Sequence, residues 1–116
     1  MSLMSLASRY QQEQEIEKYT KICKAVLSKR GIEFNSLEND FRTGVNLLHF
    51  LEIVKNAPIE KPRWHKAPKF KQLQIENISI AIDFLRNNKL NPVGIDPYQI
   101  HNGEIKATIN FIHECI

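Results

Sequence analysis

The segment at residues 45–56, VNLLHFLEIVKN, restricts most strongly what this chain can fold into. Drawn as a helix at about 100° per residue, it places its polar side chains in one stripe about 120° wide. The stripe consists of Asn46, His49, Glu52 and Asn56. From residue 45 to residue 54 the rest of the surface is apolar. Because a helix that is apolar over most of its circumference must be enclosed by other elements, we predict a central helix in an all-α core.

Length and composition favour one ordinary globular domain. The chain has 116 residues, of which 42% are hydrophobic and 25% charged, with a formal net charge of +3. A chain of this size can bury a core without disulfides or a structural metal. No apolar run approaches the roughly 20 residues of a membrane helix, so we predict no membrane span. The cysteines are interpreted as those of a cytoplasmic protein. Cys23 and Cys115 are interpreted as reduced thiols on apolar faces, with a disulfide left open as the alternative.

The sequence predicts that the folded domain begins at residue 13. Residues 1–12 are predicted to be a disordered or expression-derived leader, and residues 13–116 the folded domain. From residue 13 to residue 30 the apolar side chains fall on one helical arc, and Gly31 supplies a stop. The apolar arc comprises Ile16, Tyr19, Ile22, Cys23, Val26 and Leu27. This pattern predicts an amphipathic first helix.

Further elements follow from the same test. Residues 35–41 are predicted to form a short helical turn capped by Asn35 or Ser36. Three prolines make residues 57–71 a long connecting loop. Helices are predicted at residues 73–85 and 103–116, with one helical turn after Asp96 between them. We therefore predict a fold of four main helices with short connecting helices, in which one main helix is central and buried by the others.

We make a specific prediction for the hydrogen bonds of one polar residue in the third main helix. Asn77 points between two apolar faces, and an unpaired buried amide would cost about 1–3 kcal/mol. We therefore predict that the Asn77 side chain hydrogen-bonds to backbone groups of a neighbouring loop.

Three stretches, DFRTGVNLLHFLEIV, LQIENISIAIDFL and GIDPYQIHNGEIKATINFI, occur in an order and at distances that resemble a calponin homology (CH) domain. The likeness covers residues 13–116, and it is especially similar to the first domain of the tandem pairs in α-actinin- and filamin-like proteins. The matching positions are Asp40 to Gly44, Asn77, Ile78, Ala81, Ile82, Val93, Gly94, Ile100 and Gly103. Gly44, Asn77 and Gly103 are assigned structural roles.

The resemblance implies a non-catalytic module that binds filamentous actin through its first and last helices. The implied contact residues are Lys18, Lys21, Lys24, Ser28, Lys106, Asn110 and His113. It also implies a cytoskeletal location and allows a second CH domain in the same parent chain. The alternative for the lysines is the solvated face of an amphipathic helix. The alternative function is a single CH domain that acts as an interaction or autoregulatory module in a signalling protein, such as a Rho guanine nucleotide exchange factor.

The connecting loop carries a separate basic set. Its members are Lys61, Arg63, Trp64, Lys66, Lys69 and Lys71. One interpretation is a secondary contact with an acidic partner, which could be a filament, a phosphoinositide headgroup or nucleic acid. The other is a solvated connector whose Trp64 and Phe70 fold back over the core, because an exposed tryptophan is unusual without a partner.

Catalysis and cofactors find no support in the sequence. Glycine-rich phosphate loops, nucleophile elbows and paired metal-binding histidines are absent from it. His113 and Cys115 point to different sides of a helix, so no zinc site is predicted. The net charge is positive, but the sequence has no turn followed by a basic recognition helix. We therefore predict no nucleic-acid partner.

Overall fold

The computed structural model describes residues 6–60, 62–88, 90 and 94–116, apart from the side chains of residues 6–9. The described chain forms α1 (Leu6–Leu27), a 3₁₀ turn (Ser28–Arg30), α2 (Val45–Lys55), α3 (Lys71–Asn87), α4 (Pro97–His101) and α5 (Ile105–Cys115). These ranges contain no strand, and the all-α prediction is confirmed. Two residues named in the sequence patterns, Lys61 and Val93, lie outside the described residues, as do residues 1–5.

The first helix begins earlier than predicted. Residues 6–12 belong to the predicted disordered or expression-derived leader, and they form the first turns of α1. Leu, Ala, Arg and Gln in this stretch are strong helix formers, and no glycine or proline interrupts them. At the other end the prediction is confirmed, because Gly31 takes a left-handed conformation at φ 70° and donates its N–H to Ser28 O.

Helix α2 is the centre of the core, as predicted. It contacts α1, α3 and α5, and its Leu47, Leu48, Phe50 and Leu51 side chains have no exposed surface. The helix starts after Gly44, whose φ is 79°. A Cβ atom at this position would lie 2.5 Å from Asn77 Cβ, so only glycine permits the observed approach of α2 to α3.

The Asn77 side chain joins three segments of the chain. Its Oδ1 accepts a hydrogen bond from His65 N at 2.8 Å, and its Nδ2 donates to His65 O at 2.9 Å and to Thr43 O at 3.1 Å. The residue is completely buried. The predicted bonds to loop backbone are confirmed, and they fix α3 to the connecting loop and to the entry of α2.

Residues 37–43 form hydrogen-bonded turns, and the predicted helical turn is present as a single i→i+4 bond, which Asp40 N donates to Ser36 O at 2.9 Å. Asp40 also stabilises this turn through its side chain, whose Oδ2 accepts from Asn35 N at 2.7 Å and from Ser36 N at 2.9 Å. Ser36 Oγ in turn accepts from Asn39 N at 3.1 Å, which is the capping bond expected of Ser36. The Ser36 hydroxyl and the Asp40 carboxylate therefore cap the turn reciprocally, and the turn does not continue as a regular helix.

The last two helices are joined through a tight glycine turn. Asp96 caps α4 by accepting from Tyr98 N at 2.7 Å, and Pro97 occupies the first helical position, as predicted. Gly103 follows at φ 80°, and a Cβ there would approach Glu38 O to 3.0 Å. Helix α5 then buries Phe111, Ile112 and Cys115 against the core.

Candidate functional site

The lysines predicted on the first helix lie on its outer surface. Lys18, Lys21 and Lys24 are exposed. The Lys21 ammonium forms an ion pair with Glu17 at 3.1 Å, one turn earlier on the same helix. Ser28 is also exposed, but its hydroxyl donates to Ala25 O at 2.7 Å and is therefore occupied by its own helix.

Helix α5 lies beside α1, and a tyrosine–histidine contact links them. Tyr19 Oη and His113 Nδ1 are 2.9 Å apart, and the two rings meet edge to face. Nearer the start of both helices a groove of about 230 Å³ runs between them. The groove is lined by Gln12, Glu15, Ile105, Lys106, Ile109 and Asn110. Early residues of α1 lie beside early residues of α5, and the later Tyr19 lies beside the later His113. The two helices therefore run side by side in the same direction.

This arrangement divides the predicted contact set in two. The first group, which we call the α1–α5 junction, consists of Lys18, Lys106, Asn110 and His113. Lys18 belongs to it because its ammonium lies 5.3 Å from the centre of the Tyr19 ring that contacts His113. At about 100° per residue, the remaining set points away from α5. We call this set, Lys21, Lys24 and Ser28, the outer row.

The connecting loop buries its tryptophan and exposes its phenylalanine. Trp64 is only 4% exposed and packs edge to face on His49, with ring centres 5.1 Å apart. Phe70 is 69% exposed, so the expectation that both rings fold back is correct for Trp64 and wrong for Phe70. Phe70 directly precedes α3, and the other large aromatic residue left open nearby is Tyr98, 53% exposed, under the Lys71 ammonium.

The basic side chains of this loop are exposed, and one of them covers the tryptophan. Arg63, Lys66, Lys69 and Lys71 all reach solvent. The Lys66 ammonium lies 4.1 Å from the centre of the Trp64 ring, a distance suited to a cation–π interaction.

The buried carboxylate of Glu52 joins both the 3₁₀ turn and the connecting loop to α2. Glu52, on the polar stripe of α2, is 8% exposed and accepts from Arg30 Nη1 at 2.7 Å through Oε1. Its other oxygen accepts from Ile59 N at 2.7 Å. Burial by itself would raise the pKa of Glu52, but these hydrogen bonds and the charges of Arg30 and Lys66 lower it. The sequence marked Glu52 as unusual, yet gave no sign that Arg30 was its partner.

His49 shares the same arginine. Its Nδ1 lies 2.7 Å from Arg30 Nη1, and since arginine can only donate, the histidine accepts at Nδ1 and carries its proton on Nε2. Burial lowers the pKa of His49, and the nearby charges of Arg30 and Lys66 lower it further, although Glu52 opposes them. The neutral form is therefore the one that this packing requires.

Acidification should loosen this cluster. The folded pKa of His49 lies below its ordinary value of 6.5, so the folded state binds fewer protons and stability falls as the pH drops through that window. The lowered pKa of Glu52 acts in the same direction at still lower pH. We expect the thermal midpoint to be lower near about pH 5.5 than near about pH 7.5, and His49→Gln to make that difference smaller.

Burial and the charges of Lys71 and Arg42 also lower the pKa of His101. The His49→Gln variant should therefore keep the part of the pH dependence of stability that is due to His101. Thermal unfolding followed by circular dichroism at both pH values measures the effect. Equal pH dependence in the parent and in His49→Gln would contradict the role given to His49.

The two cysteines are buried free thiols, as interpreted from the sequence. Burial raises the pKa of Cys23 to about 12 and raises that of Cys115 as well. Since the thiolate is the reactive form, neither side chain is prepared for nucleophilic or redox chemistry.

The described residues contain neither a cluster of metal-binding side chains nor a membrane-spanning helix. In those residues, no group of three or more His, Cys, Asp or Glu side chains is placed to hold a metal ion. No helix in the same part of the chain is long and apolar enough to cross a membrane.

Comparison with known proteins identifies the family. The profile of the calponin homology (CH) domain matches residues 13–116, and the chain belongs to this family. It is 29% identical over 101 residues to alpha-actinin-1 of Homo sapiens, a match that covers 87% of this chain and 11% of that protein. It is 29% identical over 94 residues to filamin-C of Rattus norvegicus, with 81% of this chain and 3% of filamin-C covered. The chain therefore corresponds to a small part of these relatives.

Proposed function

We propose that this domain is a non-catalytic module that binds actin filaments through the α1–α5 junction and the outer row. The observation that carries the proposal is the match of most of the chain to alpha-actinin-1 and filamin-C. In first CH domains of α-actinin- and filamin-like proteins, which the sequence resembles, the first and last helices supply the filament contact. A cytoskeletal location in the cytoplasm and a second CH domain in the parent chain belong to the same proposal.

The charge of this surface supports the proposal. Exposed lysines occur on both helices: Lys106 lines the groove, Lys18 lies beside the Tyr19 ring, and Lys21 and Lys24 belong to the outer row. An actin filament is acidic, so these lysines would steer the domain towards it and add attraction that salt weakens. The groove adds partly covered Ile105 and nearly buried Ile109, against which an apolar side chain of a partner could pack.

Co-sedimentation with filamentous actin over a salt series tests the proposal. We expect saturable pelleting of the 116-residue chain that weakens as salt rises, because exposed charges separated by more than about 10 Å are screened at 0.1 M ionic strength. Lysozyme serves as the control for nonspecific binding of a basic protein. Pelleting no greater than that of lysozyme at every salt concentration would contradict filament binding by this chain.

A further inference from the structure

A groove on the outer side of α3 is separate from the surface proposed to bind filaments. It has a volume of about 500 Å³, and no described residue of its lining belongs to α1 or α5. The lining consists of Lys71, Gln72, Ile75, Glu76, Ser79 and Tyr98. At about 1.5 Å per residue, the part of α3 from residue 71 to residue 79 is about 12 Å long. A short segment of another protein chain is long enough to lie across it.

Large apolar side chains are exposed at this groove. Tyr98 of α4 is 53% exposed, and Phe70, which directly precedes α3, is 69% exposed. Ile75, between them on the wall of the groove, is partly exposed as well. Exposed apolar side chains that are scattered singly need no explanation, whereas a group of them is typical of an interaction site.

The backbone that carries these side chains is fixed by hydrogen bonds. Gln74 donates from Nε2 to Pro68 O at 3.3 Å, and its Oε1 lies 3.0 Å from His101 Nε2. The Gln74 amide therefore joins the end of the connecting loop to α4. Phe70 O accepts from Leu73 N and from Gln74 N, both at 3.1 Å. A partner would meet a surface that is already ordered, which lowers the entropic cost of binding.

The lysines of this surface are not neutralised by carboxylates. Lys71 lines the groove with its ammonium 6.0 Å from the centre of the Tyr98 ring, and Lys69 is exposed two residues earlier. Neither lysine forms an ion pair within the described part of the chain. Glu76, the carboxylate of the lining, is already bonded to His65 at 2.7 Å. The charge available to a partner is therefore positive.

A third cation lies near the same end of α4. Arg42 donates from Nε to His101 O at 2.7 Å and is exposed. Burial lowers the pKa of His101, and the charges of Lys71 and Arg42 lower it further. Both cations therefore act on the space around α4, and this field favours an acidic partner.

The lining favours a protein segment over a nucleic acid. Single strands bind to grooves that pair a continuous row of cations with aromatic rings for the bases. Here the aliphatic Ile75 and the carboxylate of Glu76 lie halfway along the α3 wall. An apolar side chain fits against Ile75, whereas a phosphate backbone passing Glu76 would be repelled.

We propose that this groove docks a short acidic segment of a partner protein. An aliphatic or aromatic side chain of the segment packs against Tyr98 and Ile75, and its carboxylates pair with Lys71 and Lys69. The proposal does not rest on filament binding, because it uses neither the α1–α5 junction nor the outer row. With both surfaces, the domain would link an acidic partner protein to a filament.

Selection of random peptides displayed on phage tests the proposal. Peptides of about 12 residues, long enough to cross the groove, are selected on the folded 116-residue chain. Enriched sequences are then synthesised with a fluorescent label. We expect them to be acidic, to contain one or two large apolar residues, and to bind saturably in anisotropy titrations. Absence of enrichment, or enrichment of peptides without acidic residues, would overturn the proposal.

Matched variants place the peptide in the groove. Tyr98→Ser and Lys71→Gln should each weaken its binding by about fivefold or more, since one removes an apolar wall and the other a cation. Tyr10→Ser and Lys24→Gln remove a similarly exposed tyrosine and an exposed lysine from α1, and should leave the affinity unchanged. Unfolding curves verify that all four variants fold. Equal affinities of the two tyrosine variants, or of the two lysine variants, would show that the peptide binds elsewhere.

Two further titrations define the class of partner and the independence of the surface. Labelled oligothymidine should bind at least about tenfold more weakly than the peptide, and tighter binding that Tyr98→Ser abolishes would replace the protein segment by a nucleic acid. An excess of peptide should leave pelleting with filamentous actin unchanged, and competition would assign the groove to the filament surface instead. If the chain does not pellet with filaments at all, the peptide titrations still decide the proposal.

Discussion

Replacing Asn77 by alanine is expected to reduce the free energy of unfolding by about 3 kcal/mol or more. The variant leaves His65 N, His65 O and Thr43 O without their partner in a place from which water is largely excluded. Each buried polar group that loses its partner costs about 1–3 kcal/mol. Urea unfolding followed by circular dichroism measures the loss.

Two further variants make this test specific to the hydrogen bonds. Asn87→Ala removes an exposed amide from the end of the same helix and should change stability by less than about 0.5 kcal/mol. Asn77→Asp keeps the shape but places a carboxylate oxygen against two carbonyl groups, so it should not restore stability. An Asn77→Ala variant as stable as Asn87→Ala would show that the three bonds contribute little.

Leu48→Ala should cost about 2–5 kcal/mol, which is a large part of the stability of a domain this small. Leu48 is completely buried in the helix that α1, α3 and α5 surround, so the structure cannot collapse easily into the space left behind. The fully buried Leu85 of α3 should behave in the same way.

Val54→Ala is the matched control for Leu48→Ala. It shortens an apolar side chain on the same helix, but at a partly exposed position, and we expect a smaller loss of about 1 kcal/mol. A midpoint for Leu48→Ala within about two degrees of the parent would contradict the central position of α2.

The fold was predictable because its strongest signals are local. The polar stripe of α2 identified an enclosed helix, and Gly31 and Asp96 identified helix ends before any contact was known. The sequence predicted that Asn77 would bond to loop backbone. It could not predict which residues supply that backbone, since Thr43 and His65 are distant from Asn77 in sequence.

Other features of the fold depend on side-chain contacts, which the spacing of apolar residues along the sequence does not reveal. The turn at residues 35–41 is decided by two backbone bonds to Asp40, and the pairing of Arg30 with Glu52 joins positions far apart in the chain. Glu52 also accepts a hydrogen bond from Ile59 N, which brings the connecting loop beside that pair. No pattern in the connecting loop distinguished Trp64, which packs on His49, from Phe70, which remains exposed.

For the candidate site, the sequence predicted exposure correctly but not arrangement. All seven side chains are exposed, as an amphipathic pattern implies. That Lys18 lies beside the Tyr19 ring, while Lys21 and Lys24 point away from α5, depends on the Tyr19–His113 contact and could not be read from either helix alone.

The most direct test of filament binding through α1 and α5 compares two double charge reversals by saturation co-sedimentation with filamentous actin. One is Lys18→Glu with Lys106→Glu at the α1–α5 junction. The other, the loop pair, is Lys69→Glu in the connecting loop with Lys71→Glu at the first residue of α3. Both change the net charge equally and affect exposed residues, so neither should alter folding. We predict that the junction pair weakens binding at least about tenfold and that the loop pair changes it little. Equal weakening by both pairs, or unchanged binding by the junction pair, would contradict the proposed surface.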